Sequence, residues 1–299
     1  MNELKQVSSL FHTTDKIENI RSIIQGGFTP SYSKEIFGNN LSYISMVSFS
    51  NVLLLETKTQ INYGDYSIGM TKDWCIKNNL QPVFYTYENS YVERSLRPIR
   101  QIFDVAGIFS DINKHLSKNK IDIKFKGIDF SDIGLKTFDT LIRTNFDHKQ
   151  SKIIEHFLTE ISEVFVYYEL YSKRINAKNK VGEEFICFND REWRYIPDFK
   201  YKFLYEPDPH IYTLKEDDEE YKKRLREHKE SLLIGKEQLS KHILKFDLDD
   251  IKSIVVKNDD EIENIFDLLK EVYGEQFVLQ RIFNGSLLVT SYDQLYNNF

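Results

Sequence analysis

Two polar side chains with complementary chemistry stand far apart in this chain. His12 lies in Phe11-His12-Thr13-Thr14, and Glu192 in Asn189-Asp190-Arg191-Glu192-Trp193-Arg194-Tyr195-Ile196-Pro197. An imidazole holds or passes a proton near neutral pH, and a carboxylate pairs with a cation or steadies developing positive charge. If residues 185–195 are extended, side chains alternate, so Glu192 and Arg194 share one face while Trp193 and Tyr195 share the other. The forks of Arg191 and Arg194 and the plane of Trp193 suit a phosphate-bearing ligand. A carboxylate among arginines is more often a structural ion pair, so that role stands beside the chemical one. His12, just ahead of a helix, also has a plain role as a hydrogen-bonding or capping residue, and nothing in its spacing makes it a metal ligand. Between the two lie Met46-Val47-Ser48-Phe49-Ser50 and Tyr63-Gly64-Asp65-Tyr66-Ser67-Ile68-Gly69. By themselves Ser48 and Phe49 read as an ordinary sheet edge, and the tyrosines, Tyr66 included, as packing residues beside a turn.

The elements that must position these groups are mixed. Ile17, Ile20 and Ile24 recur three and four apart and stop at Gly26-Gly27, which predicts a helix over 15–25 with a glycine stop. Residues 43–50, 65–71 and 81–87 combine β-branched and aromatic side chains and read as strands. Residues 51–62 and 71–79 read as helical. A long helix is predicted over 92–116 from Leu96, Ile99, Phe103, Ala106, Phe109, Ile112 and Leu116, and a second over 151–171 from Ile154, Phe157, Leu158, Ile161, Val164 and Tyr168. The apolar stripe of the second can pack inside the fold or between subunits of a homo-oligomer. Together they form a helical insertion at 92–171. The polar, basic run 173–180 has the composition of an exposed loop. A solvated, charge-alternating helix is expected within 215–243. Strands at 251–256, 277–282 and 286–290, with a helix around Ile262, Ile265, Phe266 and Leu269, make a closing α/β unit. The expectation is a single α+β domain over 1–299 with a mixed sheet core and inserted and peripheral helices.

Composition narrows the function classes. With 41% hydrophobic and 14% aromatic residues the chain has ample material for a core. Forty-six acidic against 40 basic residues give a net charge of −6, which argues against a generally basic nucleic-acid surface. The run Lys114 to Lys120, continued by Lys124 and Lys126, reads as a solvated helix end. Cys75 and Cys187 are far apart and have no metal-ligand spacing, so neither a disulfide framework nor a zinc site is expected, and the reducing cytoplasm is the expected compartment. No signal segment and no membrane-length apolar run is present. Neither a Gly-x-Gly-x-x-Gly loop nor a phosphate-binding Gly-x-x-x-x-Gly-Lys loop occurs.

Phe11 to Thr13, Gly26-Gly27, Glu35, Met46 to Phe49, Tyr63-Gly64, Ile68-Gly69, Trp74, Pro82-Val83, Tyr85 and the late Arg191 to Pro197 follow an order that resembles the AbiGi family of abortive-infection proteins. The chain departs from that pattern at Asn51-Val52-Leu53, in place of an Asp-Ile-Pro-like step, and near Gln60, in place of a histidine. The resemblance implies a role in phage defence as the antitoxin of a two-component system, with a nucleotidyltransferase-like toxin as partner. An early His-Thr, a middle Ser-Phe-Ser and a late Glu-bearing strand also resemble the three-part site of ADP-ribosyltransferase folds. That second resemblance implies NAD as substrate, Glu192 and His12 as catalytic residues, and Thr13, Ser48, Tyr66, Arg191 and Arg194 as its binding residues, with no metal. A metal-dependent nuclease is disfavoured, because no Asp, Glu and Lys set has the needed spacing near Glu192.

Overall fold

The computed structural model describes residues 9–37, 40–60, 63–92, 94, 148–178, 184–205 and 219–297. The chain divides into two compact units, one built from 1–85 and 171–299, the other from 86–170.

The first unit is organised on one sheet. Its strands are β1 (Ser9–Thr14), β2 (Ser31–Phe37), β3 (Asn40–Ser50), β4 (Tyr66–Thr71), β5 (Gln81–Pro82), β10 (Glu192–Tyr195), β11 (Phe203–Tyr205), β12 (Ile251–Val256) and β13 (Leu288–Ser291). The order is β13-β12-β4-β1-β3-β10-β5, with β2 and β11 pairing to the other half of the long β3. The β12–β13 pair is parallel and the other pairs within this sheet are antiparallel. The parallel pair requires a helical crossover, supplied by the helices Glu261–Tyr273 and Glu275–Phe283. β6 (Phe84–Thr86) precedes the second unit; β7 (Ser172–Arg174), β8 (Asn176–Lys178) and β9 (Glu184–Ile186) follow it.

Strand alternation gives the sheet two unlike faces. Leu10, Val47, Phe49, Ile68, Met70, Ile254 and Val256 point to the side where Ile20, Ile24, Phe28, Trp74 and Leu269 pack, which is the hydrophobic core. Phe11, Thr13, Ser48, Ser50, Ser67, Gly69, Glu192, Arg194 and Ser253 point to the opposite side, as their registers require. That second face is rich in hydroxyls and charge, and much of it is buried, Ser67, Glu192, Arg194 and Ser253 among it. Buried polar groups on this scale must be mutually satisfied.

Several expected elements stand as drawn. α1 (Ile17–Gly26) stops at Gly27, whose φ of 91° is left-handed. α2 (Lys72–Lys77) is capped by the Thr71 hydroxyl, which accepts from the Trp74 N–H. In the second unit, α3 (His148–Leu170) covers the predicted 151–171 helix, though Phe157 and Val164, expected on its apolar stripe, are exposed with Ile153 and Tyr167. α4 (Glu219–Leu239) is the charged helix, with i,i+4 ion pairs such as Arg224–Glu220 on its surface. α5 (Glu261–Tyr273), α6 (Glu275–Phe283) and α7 (Tyr292–Asn297) complete the closing unit.

Other expectations are corrected. Residues 277–282 are helical within α6, where only Val278 is fully buried; a short apolar run does not by itself distinguish strand from helix. The supposed exposed loop 173–180 contains β7 and β8, with Lys173 buried. Residues 185–195 are not continuously extended: a 3-10 turn at 187–190 and a left-handed Arg191 (φ 46°) intervene before β10. The stretch 51–62 is helical over Leu54–Gln60, as a 3-10 helix, and 81–87 breaks into β5 and β6. Apart from Val92 and Arg94, the predicted helix over 92–116 lies outside the described residues, as does the lysine-rich run at 114–126. Among the described residues no helix is long and apolar enough to cross a membrane.

Gly64 fixes how the chain enters β4. Its φ is 131°, and an added Cβ would meet the Thr14 carbonyl oxygen at 2.1 Å and the Asp15 nitrogen at 2.4 Å, both main-chain atoms that cannot yield cheaply. Gly64→Ala is expected to lower stability by roughly 2–4 kcal/mol, measured by denaturant unfolding, through backbone strain and overpacking together.

Candidate functional site

Glu192 emerges from β10 onto the polar face and enters a cluster of charges. Its Oε1 accepts from Arg194 Nε at 2.6 Å and from the Ser48 hydroxyl at 3.2 Å, and its Oε2 pairs with Lys173 Nζ. Arg194, wholly inaccessible, reaches Glu35 Oε1 at 3.1 Å through a second nitrogen and the Ser172 carbonyl through its third, at 3.4 Å. The Glu192 main chain is held too: its N–H donates to the Tyr85 hydroxyl at 2.8 Å, and its carbonyl accepts from Val83 N–H at 3.0 Å. Beside the cluster, the Tyr63 hydroxyl donates to Asp190 Oδ2 at 2.6 Å.

The electrostatics follow from burial and pairing. Burial works against the charged form of Glu192, but the Arg194 guanidinium and the Lys173 ammonium outweigh it and hold the carboxyl well below the usual carboxylate range. Lys173 and Arg194 are opposed by the same burial and are kept protonated chiefly by Glu192. Burial pushes the Tyr85 hydroxyl up to about 12 and the Cys187 thiol up to about 11, so neither is a nucleophile at neutral pH.

A cavity of about 280 Å³ lies over this face. Its floor is Phe11, Thr13, Ser48 and Ser50 from the sheet, with Ser33 and Glu35 from β2. Tyr63, Lys173, Cys187, Asp190 and Glu192 complete the wall, joined by His12 and Lys34. Among the described residues no group of three or more His, Cys, Asp or Glu side chains converges as a metal site.

The residues singled out from the sequence divide. Thr13, Ser48 and Glu192 gather at the cavity, and Ser48 bonds Glu192 directly. His12 reaches it differently. Its register partner is Ile68, so its ring projects to the core side, packing edge-on against Phe28 at 5.3 Å and near Phe49 at 5.6 Å. Its Nδ1 lies 2.9 Å from the Ser48 carbonyl at the place where β1 and β3 separate. A carbonyl only accepts, so Nδ1 carries a proton, and burial, which lowers the ring's pKa, favours the neutral Nδ1–H form. The imidazole and the carboxylate both border the one cavity, but by register they come from opposite faces of the sheet, each tied to Ser48. Tyr66 faces the core side as well, with its hydroxyl on Glu261 Oε1 at 2.7 Å. Arg191 points to solvent and pairs with Glu56. Arg194 lies behind the cavity, clamped to Glu192 and Glu35.

Glu35, Tyr63, Lys173, Tyr85 and Asp190 were not singled out as site residues. Glu35, Tyr63 and Tyr85 stood among the positions that carry the family resemblance, a signal that could have found them. Lys173 had none: its neighbours are polar, and only the fold turns it inward.

The two titratable groups act over different pH windows. Burial lowers the His12 pKa, partly offset by its bond to Ser48. A depressed histidine contributes stability above the unfolded value, about 6.5, and loses it as pH falls below. Glu192, also depressed, contributes above the unfolded carboxylate value of about 4.3 and loses that only in stronger acid. The melting temperature is expected to fall between pH 7.5 and 5.5. His12→Asn keeps a donor for the Ser48 carbonyl but cannot titrate, and should show a shallower fall in the same scan. Equal slopes would refute the assignment.

A model of the family described as "Putative abortive phage resistance protein AbiGi, antitoxin" matches residues 31–257. No curated protein and no solved structure matches the chain. The matched span contains Glu35, Ser48, Tyr63, Tyr85, Lys173, Asp190, Glu192 and Arg194, the whole charge cluster and most of the cavity wall. The chain thus belongs to the AbiGi family of abortive phage-resistance proteins.

Proposed function

We propose that this chain is the binding, antitoxin-side member of a phage-defence system, with the cavity over the polar sheet face as a recognition pocket and no catalysis of its own. The family description supports the antitoxin role, and a cognate toxin is the partner that role requires. The observation that carries the non-catalytic reading is the immobilisation of Glu192. Both its oxygens are engaged by Arg194, Lys173 and Ser48, and the two cations cancel the negative field that a developing oxocarbenium centre would need.

An ADP-ribosyltransferase-like enzyme that cleaves NAD at the nicotinamide–ribose bond is the second reading. It draws on an ionised glutamate beside Thr13 and Ser48 in one cavity. The placement of the His12 ring on the core side weighs against it.

The readings are separated by incubating the purified protein with NAD and measuring nicotinamide, and by co-expressing it with a cognate toxin and measuring growth. Relief of growth arrest without nicotinamide release is expected. Release that is lost in a folded Glu192→Gln protein would overturn the proposal. Glu192→Gln also tests the cluster itself. It removes the counter-charge of Lys173 and one of the two carboxylate partners of Arg194, and is expected to destabilise by roughly 3–5 kcal/mol, whereas Lys173→Met combined with Glu192→Gln should recover part of that loss. A catalytic glutamate without this structural role would leave the melting temperature nearly unchanged.

A further inference from the structure

We infer that the cavity takes a small polyhydroxylated ring carrying no phosphate, a sugar or nucleoside that is uncharged or cationic. The inference rests on the binding reading above and adds the chemistry of the ligand.

Size comes first. About 280 Å³ is room for one monosaccharide or nucleoside within the walls. Thr13, Ser33 and Ser48 are half-buried and Tyr63 is 38% exposed, so these walls are within reach of solvent.

Charge decides the class. Three carboxylates, Glu35, Asp190 and Glu192, stand at the wall, against the ammonium of Lys173 in the wall and the guanidinium of Arg194 behind it, which leaves one net negative charge on the cluster side, with the Lys34 ammonium at the opposite border. Lys173 is committed to Glu192, and Arg194 to Glu192 and Glu35. Lys34 also borders the cavity, but its register partner is Tyr43 and its Nζ lies 5.4 Å from that ring, on the face away from Glu35. A phosphate entering this space would meet carboxylates whose counter-ions are already engaged, in a medium where like-charge repulsion is poorly screened.

The remaining wall chemistry matches a polyol. Ser33 and Ser50 bring hydroxyls that can donate or accept, Ser48, whose proton goes to Glu192, can accept, and Thr13, 3.0 Å from the Ser67 hydroxyl, shares one more, so ligand hydroxyls meet partners of both senses, with the carboxylates as further acceptors. The Phe11 ring supplies an apolar surface for the C–H face of a ring.

Calorimetric titration of the full-length protein with adenosine, uridine, D-ribose and D-glucose, each beside AMP, UMP, ribose 5-phosphate or glucose 6-phosphate at fixed ionic strength, tests the inference. At least one unphosphorylated compound is expected to bind with a Kd below ~1 mM and its phosphorylated partner at least ~10-fold more weakly, a difference of about 1.4 kcal/mol. Asp190→Asn keeps an acceptor for Tyr63 but removes the surplus charge, and should narrow that ratio to about 3-fold or less. Ser33→Leu, which fills the cavity away from the charge cluster, should abolish binding while the protein still unfolds cooperatively. Tighter binding of the phosphorylated partners, or no binding by any compound at 10 mM (about 2.7 kcal/mol at most), would overturn the ligand class. Loss of this inference would leave toxin relief intact, whereas nicotinamide release from NAD would sink the antitoxin reading even with the sugar result in hand.

Discussion

The Glu192 carboxylate held between the Arg194 guanidinium and the Lys173 ammonium constrains everything on the polar side of the sheet. Taking any one of these ions out of water costs several kcal/mol, and only close, well-directed opposite charge offsets that cost. The geometry is accordingly tight: Arg194 uses three nitrogens on three partners, and Glu192 is fixed through both carboxylate oxygens and its main chain. The participants come from β2, β7 and β10, and Tyr85 and Ser48 add two more segments. One cluster thereby closes chain segments more than a hundred residues apart. Such a cluster is a poor source of net stability compared with an apolar equivalent, but it is intolerant of losing a single member. It therefore specifies one arrangement of strands over alternatives.

That constraint also bears on function. A carboxylate engaged this fully is ionised across the physiological range, which suits electrostatic recognition better than proton transfer. The neutral His12 ring, packed among Phe28, Phe49 and the Ser48 carbonyl, contributes to the same wall by fixing the gap between β1 and β3. The site thus has the character of a preorganised polar surface with little capacity to exchange protons, in keeping with a binding protein of a defence system.

Much of the local structure was legible. The three-and-four spacing of Ile17, Ile20 and Ile24 before two glycines gave α1, and the β-branched and aromatic content of 43–50 and 66–71 gave the two strands that carry Ser48 and Ser67. Alternation alone put Glu192 beside Arg194, and the observed burial of both confirms it. The misreadings share a cause. Residues 277–282 and 173–180 carry weak local signals, and tertiary contacts override those. Val278 packs into the core from a helix, and Lys173, in a polar run, is drawn inward by an opposite charge that is remote in sequence.

The sequence by itself determined the family, the α+β mixture of elements, and the identity of the Glu192–Arg194 pair, because these depend on residue order and on periodicity within a few residues. The tertiary structure decided which face each strand turns to which neighbour. It put His12 and Glu192 on opposite sides of the sheet although both lie on strands joined to β3, and it supplied Lys173, Glu35 and Asp190 as partners. A one-residue change in strand register exchanges the two faces, so no local pattern can state which polar residues from distant segments will share a cavity.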